Sequence, residues 1–264
     1  MPAKIAGAQS IRRAVTILRL LAVGQEHGVR LTDIVEESGL NRPTVHRILR
    51  VLTDEDAVEQ DAESRRYLIG QEVSLLGLAR SARFPIRAVA DPYLQNICEH
   101  AGDTVFLTIR NGFDSICVDR KTGSYPVKVL SIEVGARRPL GVGVGGLALL
   151  AFLAEDEAAE ISKSNEQRLA RHKLTLTKLM ERVRQARNRG YAYTEIGVVP
   201  GTRAIAVPVF NHAREPVAAI SIAATTERLP TARVTSLIGL MQEQAGLISR
   251  RLVEIDRAKT RTRR

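Results

Sequence analysis

Residues 31–50, LTDIVEESGLNRPTVHRILR, decide how the N-terminal part of this chain folds. The stretch predicts a short helix, a tight bend at Gly39 and a second helix opening at Asn41, a good N-cap followed by Arg42 and Pro43 in the first turn. Turning each residue by 100° about the helix axis puts Val45, Ile48, Leu49 and Leu52 on one stripe. Pro43, His46, Arg47 and Arg50 fall on the opposite side, with Arg42 and Thr44 at its edges. That is the layout of a helix-turn-helix, whose second helix enters a major groove. Arg42, Pro43, Thr44, His46, Arg47 and Arg50 are then the candidate DNA contacts; an arginine can give two hydrogen bonds to a guanine edge. An amphipathic helix with a solvated basic face fits the second helix alone equally well. The elements on either side favour the first reading.

Upstream, Ile11, Ala14, Val15, Leu18, Leu21 and Ala22 recur at helical spacing, with Ser10 as the expected N-cap. Residues 27–30 leave room for a small strand, and Leu31, Ile34 and Val35 are expected to face inward. Downstream, Val58–Gln60 and Arg66–Ile69 flank a polar turn and predict a β-hairpin, the wing of a winged helix. Arg65 and Arg66 near its tip are the candidate phosphate or minor-groove contacts.

Charge needs to be read by region. The formal net charge is +10, yet residues 1–82 hold as many acidic as basic side chains, so the excess lies in residues 83–264. A basic chain as a whole is therefore weak support for DNA binding; the basic face of one helix is stronger. The C-terminal residues 250–264 are rich in arginine and are expected to fray into solvent.

Residues 72–82 (EVSLLGLARSA) predict a linker helix whose apolar residues Val73, Leu75, Leu76, Leu78 and Ala79 cover more than one face, which suggests burial against a second subunit. Phe84-Pro85 ends it. The expected organisation is thus 1–70 winged helix, 71–84 linker helix, 85–258 C-terminal domain and 259–264 basic tail. In the C-terminal domain a helix is expected from Ile86 to Ile97. Strands are expected at 103–110, 115–120, 127–134, 205–210 and 217–224, with helices at 177–189 and 234–252. The class is α+β, with an antiparallel sheet flanked by helices.

Gly141–Gly146 (GVGVGG) matches the dinucleotide fingerprint G-x-G-x-x-G, but no repeated parallel β-α units surround it. The better reading is a backbone cradle. Glycines leading into a helix at Leu147 expose N–H groups at the positive end of its dipole, which suits a carboxylate. A tight turn without a ligand is the bland alternative. Cys98 and Cys117 sit in apolar patterns and are expected to be inert core thiols. The five histidines have no metal-ligand spacing with them, so neither a metal nor a cofactor is expected. Asp119-Arg120 is expected to make a structural ion pair or a subunit contact. HExxH, CxxC, G-x-S-x-G and Walker A sequences are absent, which argues against an enzyme. No apolar run approaches the ~18 residues of a membrane span, and the N-terminus lacks a signal-peptide core. A cytoplasmic protein without membrane association is expected.

Several segments together resemble the IclR family of transcriptional regulators. They are Ser10–Leu18, Gly39–Leu49, Arg66–Gly70, Val118–Arg120, Arg138–Leu140, Leu147–Ala151, Arg189–Ala192 and Pro200–Val209. The resemblance spans about residues 8–255. It implies an N-terminal winged helix, dimerisation through the linker region and a C-terminal effector domain similar to a GAF/PAS fold. It also implies an effector pocket at Gly141, Val142, Gly143, Val144 and Gly145, with Thr194, Thr202, Ala204, Ser221 and Ala223 around it. Members of the family often have an acidic residue where Thr194 stands, Cys where Ala204 stands, Ser where Ala223 stands and His-Ala-Thr in place of Gly141-Val142-Gly143. The pocket of this chain is thus expected to be less polar and roomier than in glyoxylate-type regulators, taking an aromatic or otherwise apolar carboxylate.

The expected function is a DNA-binding regulator, in the family's usual sense a repressor, controlled by an organic carboxylate. As a homodimer or tetramer it would face a pseudo-palindromic operator on double-stranded DNA. Two other readings stay open at this point. One is a DNA-binding protein whose C-terminal domain only dimerises. The other is a ligand-binding or enzymatic domain carrying a vestigial winged helix.

Overall fold

A computed structural model describes residues 8–23, 27–83, 85–195 and 199–262. The chain divides into two units, residues 1–85 and 86–264.

In the first unit, α1 (Gln9–Val23), α2 (Leu31–Ser38) and α3 (Arg42–Asp54) enclose a small core with the hairpin β1 (Val58–Gln60) and β2 (Tyr67–Ile69). The residues of that core are Ile17, Leu21, Ile34, Val45, Leu49, Val58 and Tyr67. Asn41 caps α3: its Oδ1 accepts from the Thr44 amide at 3.0 Å. Gly39 ends α2 at φ 64°, in the left-handed region where a Cβ would be strained. Val45 and Leu49 are fully buried, and Ile48 and Leu52 pack partly against them. The hairpin pairs Val58 with Ile69 and Gln60 with Tyr67. The small strand expected at 27–30 is a single bridge, Val29 to Tyr67.

Two details of α1 differ from expectation. Ser10 lies inside the helix rather than at its cap, because the helix already starts at Gln9. Of the expected stripe, Leu21 is buried and Leu18 packs partly against the core, but Ile17, outside that stripe, is buried with them, while Val15 and Ile11 are left 38% and 69% exposed. The α1 sequence is apolar on two faces, and only packing against α2 and α3 selects one of them. The last element of this unit, α4 (Gln71–Arg83), leaves Leu75, Leu76 and Leu78 exposed.

The second unit begins with α5 (Ile86–Ala101), β3 (Thr104–Asn111), β4 (Asp114–Lys121), β5 (Arg137–Pro139) and α6 (Gly143–Ala151). It continues with α7 (Glu155–Ser164), α8 (Glu166–Ala170), α9 (Leu176–Arg189), β6 (Ala192–Thr194), β7 (Thr202–Phe210), β8 (Pro216–Thr225) and α10 (Thr231–Thr262). The strands form one antiparallel sheet in the order β5-β4-β3-β8-β7-β6. Helices α5 and α10 pack together against β3, β4 and β7, and α6 packs on β3, β7 and β8 with α9 beside it. Helix α6 is buried from Val144 to Ala151 and is the centre of the main core.

Four expectations about this unit are corrected. Residues 127–134 form no strand. The main-chain groups of Cys117 bond to Gly135 and Ala136 instead, and Arg137–Pro139 takes the edge beside β4, leaving residues 127–134 no ladder to join. Val129 still buries its side chain, whereas Val127 and Leu130 are exposed. The glycine run does not precede its helix at Leu147: the helix starts at Gly143, with Val142 as N-cap. Gly145 and Gly146 are needed there because a Cβ would come within 2.8 Å of Thr108 Oγ1 and 3.0 Å of Ser115 Oγ, so the helix lies almost on the sheet. The tail does not fray where expected, since α10 continues to Thr262. Helices α7 and α8 and strand β6 have no counterpart in the sequence reading. Three acidic residues in the first turn of α7, Glu155, Asp156 and Glu157, were an available signal.

Candidate functional site

On the first unit, α3 and the hairpin frame an open groove of about 670 Å³ lined by Arg42, Pro43, His46, Arg47, Arg50 and Arg65, with Leu31, Gln60 and Tyr67 behind them. Six of the eight residues singled out as DNA contacts therefore meet along one concave surface. None of Arg42, Arg47, Arg50 and Arg65 takes part in an ion pair among the described residues, and all four are exposed. Gln60, missed in the sequence, donates from Nε2 to the Arg65 carbonyl at 2.9 Å and braces the hairpin tip. The other two residues stand elsewhere. Thr44 is half-buried on the flank of α3. Arg66, next to Arg65 in the loop before β2, does not line the groove; its Nη1 donates to the Gly28 carbonyl at 3.1 Å, tying the chain before α2 to the hairpin.

The second unit contains a cavity of about 600 Å³. Sheet register explains which side chains converge there. Ala223 on β8 pairs with Ala204 on β7, which pairs with Thr194 on β6. One step along, Phe106 on β3 pairs with Ser221 on β8. Because strand side chains alternate between faces, these rows and Thr202 present one surface, largely of small residues, under the first turn of α6. All ten sequence-singled residues, Gly141, Val142, Gly143, Val144, Gly145, Thr194, Thr202, Ala204, Ser221 and Ala223, line this one space. The main-chain N–H groups of Gly143, Val144 and Gly145 belong to the first turn of a helix and have no intrahelical acceptor.

The rim is what the sequence reading missed. Arg138, Arg171, His172, Lys173, Lys178 and Arg182 also line the cavity, and among the described residues no Asp or Glu does. Burial, together with the Arg138 and Arg168 charges, holds the His172 imidazole below its usual 6.5. Burial also lowers Arg138 below the usual guanidinium value, and its Nη2 donates to the Ser131 carbonyl at 2.9 Å. The C-terminal charge excess and the run Arg171-His172-Lys173 were the signals that pointed here.

The remaining residues singled out are structural. Asp119 accepts from Arg87 at 3.3 Å, and Arg120 pairs with Glu133 at 3.2 Å. Both cysteines are buried; burial pushes the Cys117 thiol up to about 11 and raises Cys98 as well, which makes thiolate chemistry unfavourable. Among the described residues no helix is long and apolar enough to cross a membrane.

Comparison with known proteins agrees with both units. The model of the IclR helix-turn-helix domain matches residues 10–62, and that of the bacterial transcriptional regulator IclR C-terminal domain matches residues 79–250. The glycerol operon regulatory protein of Streptomyces coelicolor is 33% identical over 84% of this chain and 86% of its own length. The transcriptional repressor IclR of Escherichia coli is 28% identical over 86% of this chain and 84% of its own. Among solved structures, an IclR transcriptional regulator from Alicyclobacillus acidocaldarius shares 26% identity with a TM-score of 0.74, covering 92% of this chain and 98% of that one. A homologue from Microbacterium hydrocarbonoxydans, solved with 4-hydroxybenzoate, has the same fold at 20% identity and a TM-score of 0.72, over 92% of this chain and 98% of that one. With a winged helix-turn-helix at one end, a cavity-bearing antiparallel domain at the other and family matches across both, the chain belongs to the IclR family of transcriptional regulators.

Proposed function

We propose that this regulator reads its operator with Arg42, Pro43, His46, Arg47 and Arg50 on α3 and steadies the duplex with Arg65. In this reading it represses transcription until an organic carboxylate enters the C-terminal cavity. The observation that carries the effector class is the cavity itself: it combines open amides at the start of α6, an apolar floor and a cationic rim with no acidic side chain among the described residues. An anion gains from the helix dipole and from each rim charge, whereas a cation would meet repulsion from every side. Phe106, Ile132, Val144 and Leu174 supply the apolar surface for the rest of the ligand, and Thr194, Thr202 and Ser221 supply hydroxyl groups.

The exposed leucines of α4 support a second copy of the chain as their cover, which would give two reading heads for a pseudo-palindromic site. Relatives are named as regulators, and the role inferred here is regulatory rather than catalytic, exercised in the cytoplasm where the DNA lies. The test is a footprint on the DNA upstream of the protein's own gene, with and without a panel of carboxylates, alongside calorimetric titration of the same panel. Protection that a carboxylate relieves supports the reading. Binding of only cationic or neutral ligands would sink it.

A further inference from the structure

The cations around the cavity fall into two sets. Arg137 and Arg168 both reach Asp114, at 3.1 and 2.5 Å. Arg187 donates to the Ala151 and Leu153 carbonyls at 2.5 and 2.9 Å and approaches Glu155 at 4.0 Å. Arg138, Arg171, Lys173, Lys178 and Arg182 line the cavity instead, and none of them takes part in an ion pair among the described residues. Arg138 and Arg182 are half-buried, where an uncompensated charge is costly to keep. One carboxylate at the amides of α6 would neutralise a single charge and leave the rest repelling one another. The donors also sit on separate elements. Arg138 belongs to β5, close in sequence to the start of α6, whereas Lys178 and Arg182 stand one turn apart on the same side of α9.

We infer that the effector is an organic acid with two separate anionic groups, called a dianion below for a dicarboxylate and for a phosphocarboxylate of still higher charge. One carboxylate meets the Gly143–Gly145 amides and Arg138, and a second anionic group, carboxylate or phosphate, meets Lys178 and Arg182 with Arg171 and Lys173 beside them. The cavity volume of about 600 Å³ leaves room for a carbon spacer between the two. This inference rests on the carboxylate reading above and narrows it.

The experiment is calorimetry on the full chain at low and high salt with acids matched in size: benzoate against terephthalate, hexanoate against adipate, and glycerate against 3-phosphoglycerate. The dianion of a pair is expected to bind at least about tenfold tighter, ~1.4 kcal/mol, and to lose affinity more steeply with salt. Lys178→Gln and Arg182→Gln should each weaken the dianion severalfold more than its monoanionic partner; Lys178 is exposed, so that variant tests the site without disturbing the core. Tight binding of phosphoglycerate but not of the dicarboxylates supports the inference with phosphate as the second group. Equal affinity within every pair, or equal losses for both partners in the variants, overturns it and leaves the carboxylate reading standing. If no acid of either charge binds, both fall.

Discussion

Where α5 meets β3, the nearly inaccessible Asp103 carboxylate takes Arg228 Nε at 2.9 Å and Arg233 Nη2 at 2.8 Å, and the Arg228 guanidinium lies 3.9 Å over the Tyr125 ring. Around the C-terminal cavity, Arg138, Arg171, Lys173, Lys178 and Arg182 share a space that no carboxylate lines among the described residues. The first cluster is complete within the chain and joins α5, β3 and α10. The second has no ion-pair partner among the described residues and is the one proposed above to take an anion from outside. The α3 groove belongs with the second, because Arg42, Arg47, Arg50 and Arg65 face open solvent without acidic partners among the described residues. Pairing, more than the number of cations, separates the arginines that hold this protein together from those proposed above to meet DNA or an effector.

The largest effect expected from breaking that contrast is at Asp103. Asp103→Ala strands two guanidinium groups and should lower the unfolding free energy in urea by ~3 kcal/mol. The two arginines are each about a quarter exposed and can partly rehydrate, which keeps the loss from being larger. A loss well under 1 kcal/mol would mean that the paired cluster is not structural in the sense argued here. Next is Gly145→Ala, whose Cβ would press on Thr108 and lift α6 from the sheet. A cost of ~1–3 kcal/mol in stability is expected, with ligand affinity falling in the same variant.

Arg47→Ala should cost ~1–3 kcal/mol at one base pair of the operator if Arg47 reads a guanine. Titrating the variant against operators changed one base pair at a time decides this, since a uniform loss would mark a phosphate contact. Arg65 and Arg66 sharpen the comparison between neighbours. Arg65→Ala is expected to lower the salt slope of DNA binding by about one without changing specificity. Arg66→Ala should instead lower thermal stability, by ~1 kcal/mol for its bond to Gly28.

The smallest effect concerns pH. The His172 proton is disfavoured by burial and by Arg138 and Arg168, with Arg171 and Lys173 adjacent to it in the chain. A depressed imidazole contributes stability that is present above its ordinary 6.5 and is lost as pH falls below that value. An anion in the cavity offsets those neighbouring charges and favours protonation. Effector affinity should therefore rise modestly as pH drops through this window. Calorimetry in buffers of different ionisation enthalpy should show proton uptake on binding.

The recognition helix was legible residue by residue, because a stripe of Val45, Ile48, Leu49 and Leu52 opposite His46, Arg47 and Arg50 follows from helical geometry alone. The cavity floor was reached only through the family resemblance. The glycine cradle at 141–146 could be read locally, but Thr194, Thr202, Ala204, Ser221 and Ala223 are spread over three strands, and nothing in their spacing announces that β3, β8, β7 and β6 stand side by side. Residues 127–134 mislead for a related reason: an apolar stretch reads the same whether or not a neighbouring strand has hydrogen bonds to offer.

By itself the sequence determined the elements whose signals are local, namely the capped third helix, the bend at Gly39, the hairpin and the long closing helix. Tertiary structure alone decided which face of α1 is buried, that Arg65 faces the groove while Arg66 turns away, and which cations gather around the cavity without a partner. Helix periodicity and capping act between residues a few positions apart. Register, ion pairing and enclosure are set by segments that meet only after folding.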